Sequence, residues 1–119
     1  MRISELSAKT KVSVHRLRRY ETEGLIASQR LPNGYRDYDD KAVRHVIFIA
    51  MSRQMGFPLS WISEFLPRFK TGHLSSEEMI EAIRCRVAEI DKLIAEQKAL
   101  RQQLIHHIDW FKSKPRKSR

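Results

Sequence analysis

The sequence of 119 residues carries 23 lysines and arginines against 14 aspartates and glutamates, a formal net charge of +9, and a chain of this length holds one ordinary domain with a core but hardly two independent ones. The basic balance favours polyanionic partners, nucleic acid or an anionic surface, while the single cysteine, Cys85, excludes a disulfide framework or a multi-thiolate metal site within one chain. No run approaches the ~20 apolar residues that span a bilayer, and no basic-then-apolar leader opens the chain, so a reducing, cytoplasmic setting without membrane contact is expected.

Charge divides the chain further. Residues 1–70 hold 13 basic and 7 acidic side chains, residues 71–111 hold 5 and 7, and residues 112–119 hold 5 basic and no acidic ones, so the positive excess sits at the two ends. A first short helix is expected from about Ser4 to Ala8, with Ser4 as cap, Ile3 and Leu6 on the apolar side, and Lys9 to Val12 as a turn. Ser13 is placed to cap a second helix through about Thr22, with Val14, Leu17 and Tyr20 inward and Gly24 as its left-handed stop. Two short helices across a tight turn make a helix-turn-helix.

Leu25-Ile26 and Tyr35-Arg36-Asp37-Tyr38 then read as short strands around Asn33-Gly34, a hairpin signal that predicts a β wing. Asp39 or Asp40 would cap a third helix, with Val43, Val46, Ile47, Ile49, Ala50 and Met51 apolar and Gly56 and Pro58 as its end. Ser60 opens a shorter helix ending near Pro67, and its Trp61 and Phe65, with Phe57, are expected to fill the core.

From Ser75-Ser76-Glu77-Glu78, a capping start with acids at the positive helix end, a helical pattern runs to about residue 111. Ile80, Ile83, Val87, Ile90, Ile94, Gln97, Arg101, Leu104, Ile108 and Phe111 alternate at spacings of three and four, a heptad seam that Gln97 and Arg101 interrupt. Burial of Ile80, Ile83, Val87, Ile90, Ile94, Leu104 and Ile108 against a second copy makes a homodimer; the alternative is packing back on the chain's own domain. The organisation is therefore a DNA-binding unit at 1–70, a dimerisation helix at 75–111 and a basic, disordered tail at 112–119.

The strings Arg2-Ile3-Ser4-Glu5-Leu6, Val12-Ser13-Val14, Leu17-Arg18, Tyr20-Glu21, Gly24-Leu25, Asn33-Gly34-Tyr35-Arg36 with Tyr38, and Gly56-Phe57 with Leu59 and Ile62 together resemble the MerR family of bacterial transcription regulators. The resemblance implies a mainly α fold: a winged helix-turn-helix with a small β-hairpin wing, then a long helix forming an antiparallel coiled-coil dimer. It also implies a homodimer on pseudo-palindromic double-stranded promoter DNA, with RNA polymerase at the same promoter and activation by bending and untwisting the spacer.

On the second helix, His15, Arg16, Arg18 and Arg19 face away from the core, and Arg16 and Arg19 are the candidates for guanine contacts. The resemblance implies backbone contacts at Arg18 and Tyr20, places Tyr35, Arg36 and Tyr38 in the first wing and Arg53 near a second, although Arg19 stands where the family usually has the first of two tyrosines; Ser13 is a further candidate for DNA contact. For Tyr35 and Tyr38 the alternative is packing within the hairpin.

Cys85, between Arg84 and Arg86, is a candidate redox sensor or a small apolar residue of the coil. No metal site and no cofactor are expected, and the effector is unspecified. With no nucleophile motif, metal-ligand spacing or phosphate loop, the chain does not read as an enzyme. The alternatives are an effector-independent repressor or excisionase-like architectural protein, and a coiled-coil adaptor.

Overall fold

A computed structural model describes residues 1–114. In chain order the elements are α1 (Ile3–Thr10), α2 (Val14–Thr22), β1 (Gln29–Arg30), β2 (Arg36–Asp37), α3 (Ala42–Gln54), α4 (Leu59–Lys70) and α5 (Ser76–Ser113). They fall into two units, the first spanning Met1–Met79 and the second beginning at Ile80.

The helix-turn-helix is set by local chemistry. Helix α1 starts one residue earlier than expected, with extended Arg2 as its N-cap and no side-chain cap bond, so Ser4 lies inside the helix instead of capping it. At the other end Lys11 takes a left-handed conformation (φ 59°), which an L-residue adopts only when its surroundings demand it. They do: the Lys11 N–H donates to Ser7 O at 2.8 Å, and the Ser7 hydroxyl donates to Val12 O at 2.6 Å. Ser13 caps α2 as expected, its Oγ accepting from Arg16 N–H at 3.2 Å. Helix α2 ends where Gly24 (φ 77°) lets the N–H groups of Gly24 and Leu25 reach back to Glu21 O and Tyr20 O, the paired bonds of a Schellman stop.

The wing forms, but from a different first strand. Gln29 pairs with Asp37 and Arg30 with Arg36 in an antiparallel ladder, closed by a turn in which Gly34 N–H donates to Leu31 O and Tyr35 N–H to Asn33 Oδ1. Leu25 and Ile26, expected as strand, are buried in the core just after the α2 stop. Their apolar surface gains more from that burial than from an exposed ladder, and polar residues make the hairpin instead.

The cap of α3 is indirect: Asp39 Oδ1 accepts from Lys41 N–H at 2.8 Å in the turn before Ala42. Helix α4 passes through Pro67 and continues to Lys70, beyond its expected end. A proline removes one backbone bond and strains the preceding turn; burial of Ile62 and Leu66 and stacking of Phe69 on Phe48, with centroids 4.3 Å apart, offset that loss. Phe57, Trp61 and Phe65 stack in series at 4.1 and 4.6 Å; Phe57 is buried and Trp61 packs against the core cluster, as expected, whereas Phe65 is only partly buried and stands outside that cluster. Beneath lie Leu6, Leu17, Tyr38, Val46, Ile49, Ile62 and Leu66, the centre of a single cluster.

One flaw sits in that core. The Ser52 hydroxyl is wholly buried on α3 and makes no hydrogen bond among the described residues, and an unpaired buried hydroxyl costs about 1–3 kcal/mol. Ser52→Ala is therefore expected to raise the thermal midpoint by several degrees, given roughly 4–8 °C per kcal/mol for a domain of this size. A calorimetric midpoint that falls would show that Ser52 has a partner after all.

Ser75 opens α5 as a capping residue, its Oγ accepting from Glu78 N–H at 3.1 Å. The helix runs 38 residues to Ser113 and buries none of them, past the expected boundary at 111; the expected tail from Pro115 onward lies outside the described residues. The seven apolar seam positions are each 36% to 55% exposed among the described residues, an apolar stripe interrupted at Gln97 and Arg101.

Candidate nucleic-acid interface

The first unit holds α2 by its inner face, where Leu17 and Tyr20 are buried, and leaves His15, Arg16, Arg18 and Arg19 exposed. This follows from helical spacing: residues three apart enter the core and the positions between them face water. The Ser13 hydroxyl is engaged as the helix cap.

The expected contact residues gather into two groups on either side of α2. On one flank, His15, Arg16, Arg19 and Tyr20 line a groove of about 160 Å³ together with Glu23 and Arg53. Arg53 arrives from the last turn of α3, its guanidinium donating to Phe57 O at 3.5 Å, while Arg19 is drawn toward Glu23 at 3.8 Å. Tyr20 borders this groove, but its hydroxyl is enclosed and makes no hydrogen bond among the described residues.

On the other flank, Arg18, Tyr35, Arg36 and Tyr38 line a larger cleft of about 520 Å³. Arg2 joins them, its guanidinium 4.2 Å above the Tyr35 ring. The centre of this side is Glu21, whose carboxylate receives Arg36 at 2.7 Å through one oxygen and the Tyr38 hydroxyl at 2.9 Å through the other. Helix α2 and the wing are thereby tied through a single side chain. Tyr38, 1% exposed, belongs to the core and does not project from the wing; its phenol is pushed above its ordinary value first by burial and then by its bond to the Glu21 carboxylate. Tyr35 is half exposed at the rim.

Sequence reasoning missed Arg2 and Glu21. Arg2 lies 33 residues from Tyr35, and no periodicity links a residue before α1 to a hairpin. Glu21 had one signal: it follows Tyr20, a core position, on the edge of an otherwise cationic helix face.

In the second unit Cys85 is exposed, with Sγ 4.0 Å from a Glu81 carboxylate oxygen. Its neighbour Arg86 is paired with Glu89 at 2.8 Å. Among the described residues no three His, Cys, Asp or Glu side chains are grouped to hold a metal ion, and no helix is long and apolar enough to cross a membrane.

Comparison with known proteins matches residues 1–68 to a family described as MerR HTH family regulatory protein, and residues 43–107 to one described as MerR, DNA binding. The HTH-type transcriptional regulator CueR of Salmonella typhi is 32% identical over 106 residues, covering 88% of this chain and 77% of that protein. HmrR of Rhizobium leguminosarum bv. viciae is also 32% identical, covering 89% and 82%. The crystal structure of the regulator PbrR691 from Ralstonia metallidurans CH34, in complex with lead(II), superposes with a TM-score of 0.72 at 28% identity, over 89% of this chain and 83% of that one. HiNmlR, a MerR family regulator lacking the sensor domain and bound to promoter DNA, shares the fold with a TM-score of 0.60 at 22% identity, over 94% and 86%.

Proposed function

The chain belongs to the MerR family of DNA-binding transcriptional regulators, and from that premise we propose that it acts as a homodimer on a two-fold-symmetric promoter site. The observation that carries this reading is the exposed arginine face of α2, set between two basic clefts on a helix-turn-helix. In the major groove, Arg16 and Arg19 offer bidentate donors to guanine O6 and N7. Arg18, Tyr35, Arg36 and Arg53 grip phosphates on either side, which fixes register and carries no base information.

The α5 seam supplies the symmetry. Ile80, Ile83, Val87, Ile90, Ile94, Leu104 and Ile108 remain exposed in one chain, and a second α5 running antiparallel buries them. Two basic units held rigidly apart then deform the duplex between them, and the deformation energy depends on the spacer sequence. In this reading bending and untwisting realign the promoter for RNA polymerase.

The Ralstonia protein holds lead(II), while among the described residues of this chain no three His, Cys, Asp or Glu side chains are grouped to hold a metal ion. Soft metals favour thiolates, and Cys85 is the one cysteine of the chain, set beside a carboxylate.

Selection of bound duplexes from a random pool, under reducing conditions, tests the reading. An enriched site with two-fold symmetry is expected. Enrichment of bent or flexible DNA without a shared sequence would favour an architectural role, and no enrichment would remove the regulator reading.

A further inference from the structure

The Arg2 cleft goes beyond the contacts assigned so far, and its meaning rests on the DNA-binding reading above. We infer that Arg2, Arg18 and Tyr35 form one phosphodiester pocket, so that a single backbone phosphate of the bound duplex joins the start of α1, the recognition helix and the wing.

Three observations lead there. First, the cleft of about 520 Å³ is lined by three arginines from three separate places in the chain: Arg2 before α1, Arg18 on α2 and Arg36 on β2. No acidic side chain lines the cleft among the described residues, and of the three arginines Arg36 is paired with Glu21. Arg2 and Arg18 have no carboxylate within ion-pair distance among the described residues, whereas Lys9, Arg19 and Arg68 each have one. A concave site with two uncompensated cations focuses positive potential on whatever enters it.

Second, Arg2 is held ready. Its guanidinium stacks on the face of Tyr35 at 4.2 Å, an arrangement that restrains a long side chain but leaves the in-plane N–H donors free. Those donors match the fork geometry of two phosphate oxygens.

Third, the cleft continues the arginine face of α2, since Arg18 borders it while Arg16 and Arg19 border the opposite groove. An anion seated there lies at the edge of the duplex that α2 would read, so a duplex phosphate is its natural occupant. Such a contact positions the wing and adds nothing to base preference.

The test uses the full chain and its selected duplex. Wild type and Arg2→Ala are titrated over a salt series, on the selected and on a scrambled duplex. Loss of one phosphate contact is expected to flatten the slope of log affinity against log salt by about 0.9 per protomer and to weaken both duplexes by a similar factor. The same titration is then repeated with methylphosphonates replacing single phosphates along a half-site. In wild type several neutralised phosphates should weaken binding, and Arg2→Ala should lose much of the sensitivity at one of them while keeping it at the others, a non-additivity that a folding defect would not reproduce. Equal sensitivity of both proteins at every position, or an unchanged salt slope, would overturn the pocket while leaving the regulator reading intact. A wild type that does not prefer its selected duplex would overturn both.

Discussion

Replacing Ile90 and Ile94 together by aspartate is expected to split the dimer and reduce operator affinity about 100- to 10,000-fold. Both side chains stand near the middle of the α5 stripe, 42% and 47% exposed in the single chain, so they touch no core and their loss should leave the first unit folded. In the proposed dimer the same positions would be buried, and aspartates there would replace apolar contacts with desolvated charges. The loss in DNA affinity comes from valency. Two linked half-site readers meet the second half-site at an effective concentration near millimolar, which multiplies affinity about 10²–10⁴-fold over one reader. Sedimentation equilibrium should show a monomer, and far-ultraviolet dichroism should show fraying of α5, since an unpartnered helix lacks the packing that supplies most helical stability. A variant that stays dimeric would mean that the seam does not hold the dimer together.

The second large effect is expected at Glu21. Its carboxylate joins Arg36 at 2.7 Å and the buried Tyr38 hydroxyl at 2.9 Å. Glu21→Ala leaves that hydroxyl enclosed without an acceptor, a loss of about 1–3 kcal/mol, and releases Arg36 from α2. Tyr38→Phe alone should cost about 1 kcal/mol, because it deletes the hydroxyl along with its bond. The double variant should then be less destabilised than the sum of the two singles, since no orphan remains. Chemical denaturation of the four proteins reads this directly, and strict additivity would show that the bond contributes nothing.

The same pair sets an alkaline limit. The folded-state Tyr38 pKa is raised above the model-compound value of 10.0 by burial first and by Glu21 second. The unfolded phenol therefore ionises before the folded one, and the unfolded state holds fewer protons above that pH. The contribution to stability is complete below about pH 10 and is lost as pH rises through the folded value, and Tyr38→Phe should flatten that decline.

Much of this was legible in the sequence because local rules dominate there. The Ser13 cap, the Gly24 and Gly56 stops, the Ser75 start of α5 and the turn at Asn33-Gly34 are each fixed by a few neighbouring residues. The first wing strand was misplaced because Leu25 and Ile26 have strand-like composition, and only the assembled core shows that they are needed inside it. Pro67 reads as a helix end, yet the aromatic stack beyond it carries α4 onward. At the candidate interface, helical spacing alone places Arg16, Arg18 and Arg19 outward. The roles of Glu21 and Arg2 depend on contacts across 15 and 33 residues, to Arg36 and Tyr35, and no periodic pattern encodes those.

The central claim is that the exposed face of α2 reads DNA sequence, and Arg16 is where it is most exposed to test. Affinities of wild type and Arg16→Ala should be measured at physiological salt on the selected duplex, on single-base variants of each half-site and on scrambled DNA. A bidentate arginine contact contributes about 1–3 kcal/mol of discrimination per base pair. Arg16→Ala should therefore lose preference at one symmetry-related base pair while keeping it at the others. If wild type binds all duplexes alike and loses all of them as salt rises, its charge supplies only nonspecific attraction, and α2 is not a reading helix.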